Sequence, residues 1–328
     1  MTAAALTSSG LRSLSGRDPA DYRRHALHST DRTYTETNCY ADIIIELLHA
    51  HGYEPLAGFA HLVGVDFEGD QWTFFKPPPE DLEQLFGVDI HEMQPYRPLP
   101  VQIAEQLELG RTIIVELDSW FLPDTETTSY RREHVKTSVA ADAIDVDGQR
   151  MNYFHGPGLF ELSGPDFRGI FRLDGHADDV LPPYTELVRF DAGPRLEGDE
   201  LRARSREQLV RHLQRRPAGN PFRRFGDQLT QALPQLLEQD LESYHAYAFA
   251  TVRMAGSAFE VLATYVDWLC GTDAAESASA MGEIVDGCKA LSFRLARRRA
   301  FDPQPLLSSL ADAWERAIGG LQETVVRP

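Results

Sequence analysis

Cysteine is scarce in this chain of 328 residues, which contains only Cys39, Cys270 and Cys288. An odd and widely spaced set of three does not describe a disulfide framework. The spacings CxxC and HExxH are both missing, so the sequence predicts no zinc site, and no other cofactor is indicated. Cys270 and Cys288 lie within apolar helical stretches and are interpreted as core residues, which leaves Cys39 as the candidate for chemistry.

Long apolar runs are also missing. No window approaches the roughly 18 uninterrupted apolar residues of a membrane-spanning helix, so no membrane association is expected. The first residues, MTAAALTSSGLRSLSGRD, lack the charged start of a secretory signal. We therefore expect residues 1–30 to form a polar leader and the protein to be cytoplasmic.

Positive charge is under-represented, and the formal net charge is −18. Such a surface disfavours non-specific binding of nucleic acid. The deficit is uneven, because residues 202–224 contain many arginines and a single acidic residue, and a localised anionic partner would fit this patch. Solvated helix faces are the alternative interpretation. The arginines predicted to contact such an anionic partner are Arg211, Arg215, Arg216, Arg223 and Arg224.

The pattern of apolar residues changes near residue 193. Before it, short strand-like and helix-like segments alternate; after it, apolar residues recur with helical period between loops that contain Gly and Pro. We expect an α+β fold with a mixed catalytic domain over residues 31–192 and an all-helical C-terminal domain over residues 193–328. The long helical part could pair two chains in a homodimer.

Local patterns place Cys39 at the start of a helix. A stripe of apolar residues over 40–48 predicts an amphipathic helix, with Thr37 or Asn38 as its N-cap. A cysteine in the first helical turn meets the positive end of the helix dipole and unpaired N–H groups, which favour the thiolate. The same N–H groups, with Asn38 as a side-chain donor, could bind an oxyanion. The alternative is a small buried core residue.

His134 is the candidate base. RTIIVELD predicts a core strand over residues 111–118, and HVKTSVAADAID and RMNYFH predict a hairpin of strands 134–145 and 150–155. His134 would open the first of these strands and act as base and then as acid. Asn152 or His155, on the neighbouring strand, could orient the imidazole, and Asp118 could also reach it. A purely structural histidine is the alternative.

The residues around His134 resemble a known family. Asp118-Ser119-Trp120-Phe121-Leu122-Pro123, followed by Tyr130 and His134, is similar to the D-x-F-Y-L-P … H-x-V-V stretch of the butirosin-pathway acyltransferases. The chain as a whole resembles a bacterial family of unknown function, typified by TNCYADIIIELLHAHG, VDFEGDQWTFFKPPPEDL and YRREHVKTSVAADAID. The first resemblance implies a papain-like domain with Cys39 as nucleophile and His134 as base. It also implies that Asp118, Trp120 and Tyr130 lie near the substrate.

Two positions depart from the papain-like pattern. The peptidase-like relatives have an aspartate before a proline at the end of the second hairpin strand, where this chain has His155-Gly156-Pro157. The glutamine that usually precedes the cysteine is replaced by the segment at residues 33–35. These departures make cleavage of amides a weaker prediction than transfer of an acyl group that is already activated.

The resemblance implies aminoacyl transfer in a natural-product biosynthetic pathway. We predict an acyltransferase that forms a Cys39 thioester and passes the aminoacyl group to a small amine. The donor would be an acidic carrier protein with a phosphopantetheine arm, or an aminoacyl-tRNA. A papain-like cysteine peptidase or amidase, and a non-catalytic binding protein on the same fold, are the alternatives.

The segment at residues 67–72, FEGDQW, is a second candidate for contact with the donor. An aminoacyl group carries an α-ammonium, with which a carboxylate would pair. Asp70, Gln71 and Trp72 are therefore candidate binding residues. A turn with solvated acidic side chains is the alternative.

Overall fold

The computed structural model describes residues 5–6, 10–175 and 181–326. Contacts divide the chain into two compact units. The first, called the sheet unit, comprises residues 1–29, 38–55 and 79–196. The second, called the helical unit, comprises residues 30–37, 56–78 and 197–328. Short segments from the N-terminal half therefore pack with the C-terminal helices.

The elements are as follows. The strands are β1 (Ala5–Leu6), β2 (Arg12–Ser13), β3 (Phe67–Glu68), β4 (Gln71–Trp72), β5 (Asp89–Met93), β6 (Arg111–Asp118), β7 (Lys136–Asp145), β8 (Arg150–His155), β9 (Gly158–Ser163) and β10 (Thr185–Arg189). The α-helices are α1 (Cys39–Ala50), α2 (Pro79–Phe86), α3 (Leu99–Glu108), α4 (Pro165–Ile170), α5 (Gly198–Leu213), α6 (Pro221–Glu238), α7 (Leu241–Ala248), α8 (Met254–Cys270), α9 (Ala275–Ala296) and α10 (Gln304–Val326).

The sheet unit is built on six strands in the order β5-β10-β6-β7-β8-β9. Every neighbouring pair is antiparallel. Successive side chains of a strand point to opposite faces, and β7 is buried on both. Val139 and Ala141 belong to an apolar core that also contains Ile103 of α3 and Phe167 of α4. The side chain of Ser138 points to the opposite face and contacts the first residue of α1, so α1 covers that face.

The helical unit packs α9 between α8 and α10. A π-helical turn, Phe249–Arg253, joins α7 to α8. The two-stranded ribbon β3–β4 also belongs to this unit, because Trp72 and Phe67 pack against Phe225 of α6. None of the described helices is long and apolar enough to cross a membrane.

The coarse fold prediction is confirmed: a mixed α and β region with a sheet is followed by a helical C-terminal region. The predicted strands over 111–118 and 150–155 match β6 and β8. The first hairpin strand was predicted to begin at His134, but β7 begins at Lys136. His134 therefore lies in the loop, two residues before the strand.

Candidate functional site

Cys39 is the first residue of α1. Asn38 is the N-cap: its side-chain oxygen accepts a hydrogen bond from the Ala41 N–H at 2.9 Å, and its carbonyl oxygen accepts one from the Asp42 N–H. This cap leaves the first N–H groups of the helix pointing towards the thiol end, where the dipole favours negative charge. Cys39 is partly exposed, and its Sγ donates to Ser138 Oγ at 3.8 Å.

His134 is held by a carboxylate and an indole. Its Nδ1 lies 2.6 Å from Asp118 Oδ2 at the end of β6. Its ring stacks on Trp120, with centroids 4.5 Å apart and planes 9° apart. Because an ionised carboxylate only accepts hydrogen bonds, the proton of the neutral ring is on Nδ1 and the lone pair on Nε2. The imidazole is 67% exposed, so this lone pair is available to a bound molecule.

A pocket of about 780 Å³ opens beside His134. Its polar lining includes Asp118, Glu116 and Lys136, and the last two form an ion pair at 2.8 Å. Aromatic rings of Phe121 and Phe171 provide apolar lining. The pocket therefore combines an oriented imidazole with both charge signs and an apolar wall, which is the usual composition of a small-molecule site.

Cys39 and His134 have different hydrogen-bond partners, and within the described residues no hydrogen bond joins them. Ser138 of β7, which contacts Cys39, follows His134 by four residues along the chain. The thiol is therefore held against β7, whereas the imidazole is held at the end of β6.

A buried glutamate that sequence reasoning missed connects the pocket with α1. Glu186 of β10 accepts hydrogen bonds from Tyr40 at 2.6 Å and from Tyr184 at 2.9 Å. Tyr40 follows Cys39, and Tyr184 lines the pocket. Burial, and then the Glu186 hydrogen bond, raise the pKa of Tyr184 to about 12, so its phenol stays protonated. No spacing in the sequence links Tyr40 to Tyr184 and Glu186, because α1 and β10 are far apart along the chain.

The two predicted orienting residues on β8 have other surroundings. His155 bonds to Asp124 and Thr137, at 2.5 Å and 2.8 Å, rather than to His134. Asn152 is fully buried, and neither polar atom of its side chain has a hydrogen-bond partner in the described part of the chain. Asp118, the third candidate, is the residue that contacts His134.

The predicted substrate contacts are distributed over several places. Asp118 and Trp120 belong to the His134 assembly. Tyr130 donates to Asp166 Oδ2 at 2.9 Å. In the helical unit, Asp70 and Gln71 are exposed at the β3–β4 turn. Trp72 is 3% exposed and lies among aromatic rings, so only its neighbours are accessible to a ligand.

The predicted basic patch is partly neutralised within the helical unit. Arg223 forms an ion pair with Asp312 at 3.8 Å, and Arg224 forms one with Asp66. Arg216 donates to the Leu213 carbonyl oxygen at 2.8 Å. Arg211 is half-buried and Arg215 is exposed. The excess of positive charge available to a partner is therefore smaller than the sequence count suggests.

These features define a class of protein: a sheet unit with a carboxylate-held histidine beside a pocket and a cysteine at a helix start, followed in sequence by a helical region. The profile of the DUF1839 N-terminal domain matches residues 23–190, and that of the DUF1839 C-terminal domain matches residues 198–323. The chain therefore belongs to the DUF1839 family, whose function is unknown. No curated protein matches the sequence.

Proposed function

We propose that the protein is an acyltransferase that moves an activated aminoacyl group to an amine through a thioester on Cys39. The observation that carries this proposal is the His134–Asp118 pair, which lines a pocket and lies four residues before Ser138, the residue that contacts the thiol. A nucleophile and an oriented base are the two parts that covalent acyl transfer requires. The order of these residues, and the packing of α1 on an antiparallel sheet, favour a papain-like arrangement.

In the first step, the Cys39 thiolate attacks the carbonyl carbon of the donor. The helix start favours the thiolate without help from His134. The bond from the carbonyl carbon to the donor's sulfur or ribose oxygen breaks, and the leaving group takes from water the proton that the thiol had released to it. Exchange between two thioesters is nearly isoenergetic, so a carrier-protein thioester would be a suitable donor.

In the second step, the amine attacks the carbonyl carbon of the Cys39 thioester and His134 takes the proton of the amine. The bond from this carbon to Sγ breaks, and Cys39 leaves as the thiolate. A reacting amine lies about 3 Å from the carbonyl carbon and about 3 Å from its base, so Sγ and Nε2 would be roughly 8 Å apart. Direct contact between thiol and imidazole is not needed.

The donor would be an acidic carrier protein or an aminoacyl-tRNA, and the acceptor a small amine. The exposed arginines of the helical unit would attract either donor. Glu116 and Asp118 in the pocket would favour a cationic acceptor.

Direct transfer without an enzyme thioester is the second candidate. It is supported by a specific observation: Cys39 bonds to Ser138 and is not among the residues that line the pocket. In that mechanism His134 deprotonates the acceptor, and the amine attacks the donor while the donor is bound in the pocket.

The test uses aminoacyl-pantetheine thioesters as donors and a small primary amine as acceptor. Intact-mass spectrometry follows the enzyme adduct, and chromatography follows the amide. We expect an adduct on the wild-type and His134→Gln proteins, none on Cys39→Ala, and slow amide formation by both variants. Cys270→Ala and His91→Gln are the matched controls.

Each outcome decides between the mechanisms. Unchanged amide formation by Cys39→Ala supports direct transfer and excludes the thioester. Unchanged turnover by His134→Gln excludes the proposed base. If every loaded donor gives neither adduct nor amide, acyl transfer itself is wrong.

A further inference from the structure

A second cluster of residues of the types used in catalysis lies on the sheet face opposite to Cys39. Asp124 is in a short turn after β6, and its Oδ2 lies 2.5 Å from Nδ1 of His155. His155 is at the end of β8, and its Nε2 lies 2.8 Å from Oγ1 of Thr137 on β7. The order is carboxylate, imidazole and hydroxyl, with each ring nitrogen bound to a different partner. Nothing in the acyl-transfer proposal uses these residues.

The direction of the hydrogen bonds follows from the chemistry of the groups. Tyr153 donates its phenol O–H to the other oxygen of Asp124, and burial, followed by the Asp124 charge, holds the pKa of this phenol far above its usual range. The carboxylate accepts from both neighbours, so His155 Nδ1 carries the proton. In the neutral ring Nε2 then has the lone pair. Thr137 must donate its hydroxyl proton to Nε2, the orientation in which a base activates an alcohol.

The burial of the three residues is graded. The side chain of Asp124 is 5% exposed and that of His155 is 13% exposed. Thr137 is 8% exposed. Val135, two residues earlier, and Leu117, which pairs with Thr137 on β6, both line the pocket. The hydroxyl therefore belongs to a residue flanked by two pocket-lining residues, whereas the carboxylate is the least exposed of the three side chains.

We propose that Asp124, His155 and Thr137 form a second nucleophilic centre, at which Thr137 accepts an acyl group from an activated ester or thioester. Ser138, the next residue of β7, faces α1, so this centre and Cys39 lie on opposite faces of the same strand. Neither Cys39 nor His134 takes part in it.

The step is balanced without a further reagent. Thr137 Oγ attacks the acyl carbon as its proton passes to His155 Nε2. The bond from the acyl carbon to the leaving oxygen or sulfur breaks, and this atom takes the proton from Nε2. The product is an ester on Thr137. Water or an amine releases the acyl group by the reverse route, with His155 as base and Thr137 Oγ as the protonated leaving group.

The experiment treats the full-length Cys39→Ala protein with p-nitrophenyl acetate, and peptide mass spectrometry then locates the acetyl group. We expect acetylation of Thr137, with at least a tenfold loss of labelling rate in a second protein that also carries His155→Gln. Thr137→Val, which keeps the shape of the side chain, removes the label. Circular dichroism confirms that each variant is folded.

Three results would overturn the proposal. The first is no acetyl group on Thr137 in the Cys39→Ala protein, in which all three residues are intact. The second is labelling of Thr137 at an unchanged rate after His155→Gln, and the third is labelling only of surface lysines. Because the measurement needs neither Cys39 nor an amine acceptor, its failure is separate from failure of the proposed transferase activity.

Discussion

His28 carries the prediction that the structure defines most sharply. Its ring is fully buried and bonds through Nδ1 to Glu46 and through Nε2 to Asp42 at 3.1 Å. Both carboxylates belong to α1, one and two turns after Cys39. Glu46 also accepts the Tyr22 hydroxyl at 2.5 Å and the His25 N–H at 2.9 Å. A protonated His28 would therefore neutralise buried charge beneath the helix that begins at Cys39.

The magnitude follows from the pKa of His28. Burial alone would lower this pKa, but the hydrogen bonds to Asp42 and Glu46 outweigh burial and raise it from 6.5 to about 9. Between these values the folded protein keeps a proton that the unfolded chain has lost, so stability falls as pH rises. The contribution is complete below pH 6.5 and is lost as pH passes 9. At 1.36 kcal/mol per pKa unit, it amounts to about 3 kcal/mol.

The assay is urea unfolding at pH 7 and pH 9.5, for the wild type and for His28→Gln. We expect the wild type to lose about 2 kcal/mol more than the variant over this interval. Burial raises the pKa of Cys288 to about 12, which also lowers stability at high pH. That effect is common to both proteins and cancels in the comparison. His91→Gln, at a half-exposed histidine, is the control. Equal pH dependence in wild type and His28→Gln would refute the reasoning.

Two further predictions concern the elements that position the site. Asn38→Ala removes the N-cap of α1, so it should lower the free energy of unfolding by about 1 kcal/mol. It should also slow the alkylation of Cys39 by iodoacetamide. An unchanged free energy of unfolding together with an unchanged alkylation rate would contradict the capping role. Gly169→Ala should destabilise by about 1–3 kcal/mol, because the new methyl group meets the Phe121 ring. Gly319→Ala, at an exposed position of α10 with open space around it, should instead stabilise by about 0.5–1 kcal/mol, and thermal unfolding of the two variants checks the opposite signs.

Local patterns were sufficient for several elements. The apolar stripe and Asn38 located α1, since a helix start depends on a few consecutive residues. β6 and β8 were predicted to the residue, because alternation and turn signals are also local. Placing Cys39 at the first helical position required nothing more.

The partners of the candidate residues were not accessible to the same reasoning. His155 and Asn152 were candidates to orient His134, but the His155 ring bonds to Thr137 and Asp124 instead. The register of strand pairing is set by the packing of both faces of the sheet, and a shift of one residue exchanges those faces. The sequence alone could therefore name candidates but could not say which of them touch.

By itself, the sequence determined the nature of the two halves, the helix that begins at Cys39 and the strand that follows His134. Only the tertiary structure decided that Asp118 holds His134, that Ser138 holds the thiol, and that a buried histidine lies beneath α1. The physical reason is distance along the chain. Periodicity and capping act within a few residues, whereas His28 meets Glu46, and Cys39 meets Ser138, only after distant segments have packed.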